Sequence, residues 1–105
     1  MESVLDVIAE RCLTLNTGEE EREIRISLGR PYQEPDRAYF CPFRISGMGE
    51  DYLNRAGGVD SIQALQLALV MIGATLSTIS EHLKWDGEPY TGFPSNTDDT
   101  VLGAE

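Results

Sequence analysis

The sequence predicts one α+β domain in two layers: a three-stranded antiparallel β-meander packed against one long α-helix. Hydrophobic residues alternate with period two in the first half of the chain and recur every three to four residues after position 60. No helical pattern separates the strand-like segments, so consecutive strands pair antiparallel. The length of 105 residues suits a single domain over 1–94, followed by a flexible acidic tail over 95–105.

The three strands are predicted from alternation of apolar and polar residues. Residues 5–15 alternate with Arg11 as the exception, although their spacing also permits a helix. Residues 23–28 alternate without a break. Residues 37–46 alternate around Pro42, which favours an edge position or a bulge because proline cannot donate to a ladder.

A long helix is predicted after a glycine-rich connection. Residues 47–59 hold four glycines and two acids, and we expect a mobile connection there. Asp60 is the predicted N-cap, and Gln63 three residues later completes a capping box. The spacing of large apolar residues predicts that the core face consists of Ile62, Leu65, Leu69, Ile72, Leu76, Ile79 and Leu83.

The predicted helix carries more apolar residues than one sheet can cover. Leu67 and Val70 project away from the predicted core face, with Met71 and Ala74 beside them. Either the C-terminal segment or another subunit should cover this side. The sequence therefore favours a homodimer, in which Leu67, Val70 and Met71 are candidate interaction residues.

Residues 84–94 combine turn-forming residues with three aromatics, Trp85, Tyr90 and Phe93. Such a segment folds back over a core, and a short extra strand near Trp85 is one form that it can take. The alternative is a binding surface, because aromatic residues are enriched in interface hot spots. Trp85 and Tyr90 are therefore candidate interaction residues as well.

The charge balance narrows the classes of partner. Eight basic residues oppose 18 acidic ones, which gives a formal net charge of −10. This charge disfavours nucleic acid, and it permits a basic protein partner. The apolar stretch 64–76 is shorter than the roughly 20 residues of a membrane span. We expect a cytoplasmic protein, since no export signal is recognisable at the N-terminus.

No residue pattern predicts a cofactor, a metal site or a catalytic constellation. His82 is the only histidine, and Cys12 and Cys41 are too far apart for a CxxC pair. We interpret both cysteines as small, half-buried thiols on strands. A site at the mouth between sheet and helix, using Arg44, Tyr39 or His82, is the alternative for a small-molecule binding protein or an enzyme.

Ser61 follows Gly58-Val59-Asp60 at the start of the predicted helix. The stretch of about a dozen residues around Ser61 resembles the phosphopantetheine attachment site of carrier proteins. This resemblance implies a modified Ser61 and a helical bundle. Helix N-termini do stabilise phosphate groups. The strand-like segments before Asp60 argue against the bundle, so the capping box is the favoured interpretation.

Over residues 7–94 the chain resembles a small bacterial family of unknown function. The resemblance rests on residues 8–11 (IAER), Gly29-Arg30-Pro31, 41–47 (CPFRISG), 58–69 (GVDSIQALQLAL), 71–74 (MIGA) and Gly92-Phe93-Pro94. It implies no activity, cofactor or functional residue. The sequence as a whole favours a non-enzymatic interaction module that acts through a homodimer or a protein partner.

Overall fold

The computed structural model describes residues 5–36 and 38–94, except for the side chain of Ser80. Its strands are β1 (Val7–Asn16), β2 (Glu21–Gly29), β3 (Tyr32–Gln33), β4 (Tyr39–Ser46), β5 (Tyr52–Gly58) and β6 (Leu83–Lys84). One α-helix, α1 (Ser61–Leu76), is followed by a 3₁₀ segment, Ser77–His82. The α+β class is confirmed. The expected acidic tail lies outside the described residues.

The sheet has six antiparallel strands, so the expected three-stranded meander was too small. Strands β1, β2 and β4 form its centre in the order β4-β2-β1, and β6 adds a two-residue pairing to β1. Strand β5 pairs along one side of β4, while β2 and β3 share the other. Among the described residues, β5 is therefore an edge strand with one unpaired side.

The longest strand missed by the sequence patterns is β5; the two-residue β3 was missed as well, because the flanking Pro31 and Pro35 indicated a loop. Residues 47–59 were expected to be a mobile connection, but Tyr52–Gly58 pair with β4 over seven consecutive positions. Two glycines with positive φ, Gly47 and Gly49, turn the chain before the strand begins. Only Ala56 of β5 is buried, so the strand shows no apolar alternation that could have identified it.

The register divides the sheet into two faces. Leu13 lies opposite Ile24, and Ile26 opposite Ile45, so these residues share one face. We call this the helix face, because α1 packs over its β4 and β5 strands. The buried residues of the helix face are Leu13, Ile24, Ile26, Leu28, Cys41, Phe43, Ile45 and Ala56. The opposite face, here the open face, carries Glu10, Cys12, Glu23, Arg25, Arg44 and Arg55.

The helix contacts the sheet through a stripe that includes the predicted residues Ile72 and Leu76 but is shifted towards Ala64 and Ala68. Its buried residues are Ala64, Ala68, Ile72 and Leu76, whereas Ile62 is 68% exposed. The small side chains permit close approach, since a Cβ at Gly58 would lie only 2.6 Å from the Ala64 backbone nitrogen. The larger predicted core residues Leu65, Leu69 and Ile79 flank this contact and are only partly buried.

The helix also ends earlier than Leu83, the end predicted from the sequence. Ser77 and Thr78 hydroxyls donate to the carbonyls of Ala74 and Thr75, which competes with regular helical hydrogen bonds. The 3₁₀ segment contains the non-helical Ile79, and Leu83 then pairs with β1 as part of β6. This short strand just before Trp85 is the extra strand that the sequence allowed as one form of this segment.

By length and composition alone, the described residues include one segment apolar enough to cross a membrane, Ser61–Ile79, with a mean hydropathy of 1.7. Its Ala64–Leu76 stripe packs on the sheet, as the core helix of a globular domain does. One such helix is weak evidence for a membrane span. Only 22% of its residues are fully buried, and most of its other apolar side chains are partly buried.

Candidate functional site

The predicted interaction residues lie on two opposite sides of α1. Leu67 and Met71 are partly buried and pack against the core, whereas Val70 is partly buried without being packed against it. Trp85 and Tyr90 lie in the segment 85–94, which we call the strap. The helical period places Leu67, Val70 and Met71 on the flank away from the strap. The structure therefore separates the five residues into two regions.

The strap lies beside α1 on the helix face of β1. Phe93 and Pro94 pack against Gly73 so closely that a Cβ at Gly73 would overlap the Pro94 carbonyl group. The backbone N–H of Trp85 donates to the Glu88 carbonyl oxygen at 2.9 Å, and the Glu88 N–H returns a bond of the same length. The strap thus folds back over the core, which is the first of the two interpretations given for its aromatic residues.

Arg11 links the strap to the sheet. Its guanidinium carbon lies 3.7 Å from the Trp85 ring centroid and 5.0 Å from that of Phe93. One Nη1 N–H donates to the carbonyl oxygen of Thr91 at 3.0 Å. The Tyr90 ring packs edge-on against Trp85 at 6.0 Å and remains 54% exposed. Cation–π contacts and a hydrogen bond therefore hold this arginine in one orientation.

A cleft opens next to Arg11 between the sheet, the helix and the strap. It has a volume of about 130 Å³, and Arg11 is the cationic side chain among its lining residues. The apolar lining comes from both layers and the strap: Ala9, Ile26, Leu28, Leu69, Ile72 and Phe93. Glu10 lines the cleft as well, with its carboxylate bonded to Arg25 and Ser27 on the open face. This is a sheet–helix mouth, but not one formed by the residues expected from the sequence.

The residues suggested for a sheet–helix site are not brought together. Arg44 lies on the open face, whereas Tyr39 lies on the helix face of the same strand. His82 is exposed in the 3₁₀ segment, where its Nε2 is 3.3 Å from its neighbour Glu81. None of these three alternatives lines the cleft beside Arg11. In the described part of the chain, no three His, Cys, Asp or Glu side chains are grouped as metal ligands.

The start of α1 has the arrangement of a capped helix. The Gln63 backbone N–H donates to Asp60 Oδ1 at 2.8 Å, while the Gln63 side-chain oxygen accepts from the Val59 N–H at 2.8 Å. In a capping box this second bond comes from the N–H of the N-cap residue itself, whereas here it comes from Val59, the residue before the N-cap Asp60. Ser61 is exposed at the first helical position. The α+β fold around Ser61 differs from the helical bundle that a carrier protein requires.

The two cysteines lie on opposite faces, and both are free. Cys41 is buried under the helix, and desolvation raises its pKa to about 11. Cys12 is exposed on the open face, where a hydrogen bond with Glu23 is the main reason that its pKa is raised. The expectation of two half-buried thiols was wrong for both, because alternate residues of a strand face opposite sides. A raised pKa makes a thiol a poorer nucleophile near neutral pH.

Arg11 is the site residue that sequence reasoning missed. Its signal was present as the single break in the apolar alternation of residues 5–15. A charge on the buried side of a strand requires compensation, but the compensating groups lie 80 residues further along the chain. No local pattern connects Arg11 to the strap.

The fold and the cleft define a small two-layer α+β domain without a recognisable catalytic centre among its described residues. The sequence profile of DUF6968, a domain of unknown function, matches residues 9–95. The chain belongs to this family, and the expected membership in a family of unknown function is confirmed. Searches of curated proteins and of solved structures find no match.

Proposed function

We propose that this chain is a non-enzymatic interaction module that forms a homodimer through one side of the molecule. This side, the β5–α1 surface, consists of the unpaired edge of β5 and the neighbouring α1 residues Leu67, Val70 and Met71. The observation that carries the proposal is an uncharged, apolar helix next to an unpaired edge strand, with Leu67, Val70 and Met71 only partly buried.

The edge strand supports the proposal through its backbone. Strand β5 presents backbone N–H and C=O groups on the side away from β4, and such an edge pairs readily with another strand. The Arg55 N–H donates to the side chain of its neighbour Asn54, which would have to move in such a pairing. Two copies of one edge strand pair antiparallel about a two-fold axis, which gives a closed and self-complementary contact. The sheet would then continue from one copy into the other.

The helix flank supports it through apolar surface. Within α1 only four side chains are buried, and the helix lies over β4 and β5. Leu69 and Gly73 lie on the strap side, so the opposite flank, with Leu67 and Met71, adjoins β5. Pairing of two β5 edges would bring these flanks of the two helices close together and bury part of their apolar surface.

Charge favours a second copy over a basic partner at this surface. The chain carries a net charge of −10, yet none of the 16 residues of α1 is charged. The single charge on β5, Arg55, is neutralised by Glu34 at 2.9 Å. Two copies can therefore meet here without opposing like charges, whereas a basic partner gains no complementary charge from this surface.

A non-enzymatic role in the cytoplasm is consistent with the described side chains. The exposed acids Glu10, Asp6 and Glu20 pair with arginines in ordinary surface ion pairs, and the exposed His82 lies 3.3 Å from Glu81. The thiols of Cys12 and Cys41 are free, which suits a reducing compartment.

The test is a pair of charge variants on the same helix, measured by light scattering after size exclusion from about 1 to 100 μM. Val70→Asp places a carboxylate in the proposed contact, and we expect dimerisation to weaken at least about 100-fold because the charge would be buried unpaired. Ile62→Asp makes the same kind of change at a 68% exposed position on the opposite flank, and should leave the dimer intact. Val70 is preferred to Leu67, since Leu67 also packs against the core.

Hydrogen exchange tests the edge-strand part of the proposal. In a dimer, the outward-pointing amides of Tyr52–Gly58 should exchange more slowly at high than at low protein concentration. A chain that is monomeric at 100 μM, or a Val70→Asp variant that dimerises as the wild type does, would contradict the proposal.

A further inference from the structure

Arg11 differs from most arginines in the described part of the chain. Arg22, Arg25, Arg30 and Arg55 each lie within 4 Å of a carboxylate. No described acid lies within that distance of Arg11, although the chain has 18 acidic residues. Its partners are instead two aromatic rings and one backbone carbonyl oxygen.

The guanidinium keeps donors available for a ligand. An arginine has five N–H groups, and in the described structure one of them, on Nη1, donates to Thr91. Stacking on Trp85 orients the group without using the remaining N–H groups. An arginine held in this way is preorganised for a bidentate contact with an anion.

The strap is built around this arrangement. Gly92 has a φ of +82°, and a Cβ there would lie 2.5 Å from Arg11 Nη1 and 2.6 Å from the Trp85 ring. A side chain at position 92 would therefore displace either the guanidinium or the indole. The glycine permits the strap to pass directly over the stacked pair.

We propose that the cleft beside Arg11 binds a small organic monocarboxylate with an apolar body. Arg11 pairs with the carboxylate, and Ile26, Leu28 and Leu69 contact the body. The volume of about 130 Å³ is close to that of an engineered apolar cavity of about 150 Å³ that holds benzene. This ligand site is independent of the proposed dimer surface, which lies on the other flank of the helix.

The chemistry of the cleft favours a monocarboxylate over a phosphate. One arginine supplies the positive charge. Glu10 also lines the cleft, but its carboxylate is bonded to Arg25 and Ser27 on the open face. The remaining lining groups are apolar and cannot replace the hydration of a dianion. The net charge of −10 also repels a dianion more strongly than a monoanion. A ring or a branched chain of about six carbons matches the available volume.

Sodium benzoate is the probe, titrated into ¹⁵N-labelled full-length protein and followed by NMR. We expect saturable shifts at Arg11, Phe93 and Leu69 with a Kd of about 1 mM, which is reasonable for a ligand of this size. Benzyl alcohol has a similar body without the charge, and acetate has the charge without the body. Each should bind at least about tenfold more weakly.

Variants distinguish benzoate binding in the cleft from non-specific binding elsewhere on the protein. Ala9→Leu fills the cleft from the exposed strand position while keeping Arg11, and should weaken benzoate binding at least about tenfold. Arg11→Gln should do the same, and far-ultraviolet circular dichroism checks that it folds. Arg44→Gln removes an arginine from the open face and should leave the Kd unchanged.

Three results would overturn the site. The first is the absence of saturable shifts up to about 20 mM benzoate, well above the Kd expected for such a ligand. The second is equal binding of benzyl alcohol and benzoate. The third is unchanged binding in folded Ala9→Leu, which would place the ligand elsewhere. None of these results depends on whether the chain dimerises.

Discussion

Successive side chains of each strand point alternately to the helix face and to the open face, and the two faces are stabilised by different interactions. The helix face buries Phe43, Ile26 and their neighbours beneath α1 and the strap. The open face holds solvated ion pairs, such as Arg25 with Glu10 at 3.1 Å. Exposed ion pairs contribute little because water competes with them. Folding stability should therefore come almost entirely from the helix face.

The largest effect is expected from two adjacent residues of β4 on opposite faces. Phe43→Ala should lower the free energy of unfolding by about 4 kcal/mol, because a buried ring is replaced by a cavity. Arg44→Ala should stay within about 0.5 kcal/mol of the wild type. Urea unfolding followed by circular dichroism measures both, and similar losses for the two variants would break the comparison.

The strap covers the helix face of β1. Its aromatic residues Trp85 and Tyr90 should contribute unequally to stability, because one packs on the core and the other is exposed. Trp85→Ala should cost about 3 kcal/mol, since the indole packs on the core and on Arg11. Tyr90→Ala should cost less than about 1 kcal/mol, because its ring is 54% exposed. Thermal unfolding of both variants at one low concentration tests this order. A larger loss for Tyr90→Ala would mean that Tyr90 is the residue that holds the strap in place.

This contrast between faces explains which features the sequence could predict. Strand β2 was identified because its apolar residues Ile24, Ile26 and Leu28 alternate with polar ones. Strand β5 was missed because it is an edge strand with one buried residue, Ala56. A strand that is stabilised mainly by backbone pairing leaves almost no hydrophobic pattern.

The helix was predicted, but its contact stripe only in part, through Ile72 and Leu76. Hydrophobic periodicity gives most weight to large residues, so Leu65 and Leu69 marked the expected core face. Ala64 and Ala68 are fully buried instead, and the small side chain of Ala64 allows the helix to approach Gly58. The position of Arg11 beneath the strap depends on tertiary contact, which no local pattern encodes.

Burial of Cys41 on the helix face should make the folding stability depend on pH. The pKa of Cys41 is raised to about 11 by burial, whereas an unfolded thiol has a value near 9.0. Between these values the folded state binds more protons, so stability is complete below pH 9 and falls as the pH rises towards 11. The contribution lost is roughly 2 kcal/mol.

Cys41→Ala isolates this effect, because all other titrating groups are retained. The difference in unfolding free energy between wild type and Cys41→Ala should shrink between pH 9 and 11. A difference that stays constant would show that burial does not control this thiol. At pH 8, a disulfide reagent should modify the exposed Cys12 in the native protein and Cys41 only after unfolding.

The smallest effect is expected from Ser27, a buried polar residue on the open face. Its hydroxyl donates to Glu10 Oε2 at 3.2 Å, and the side chain is fully buried. Ser27→Ala should cost only about 1 kcal/mol, because Glu10 keeps its contact with Arg25 and the methyl group fits the same space. Urea unfolding of Ser27→Ala, Glu10→Gln and the double variant measures the coupling between the two groups. A loss near that of Phe43→Ala would mean that buried polar groups of the open face contribute to stability as strongly as the apolar core does.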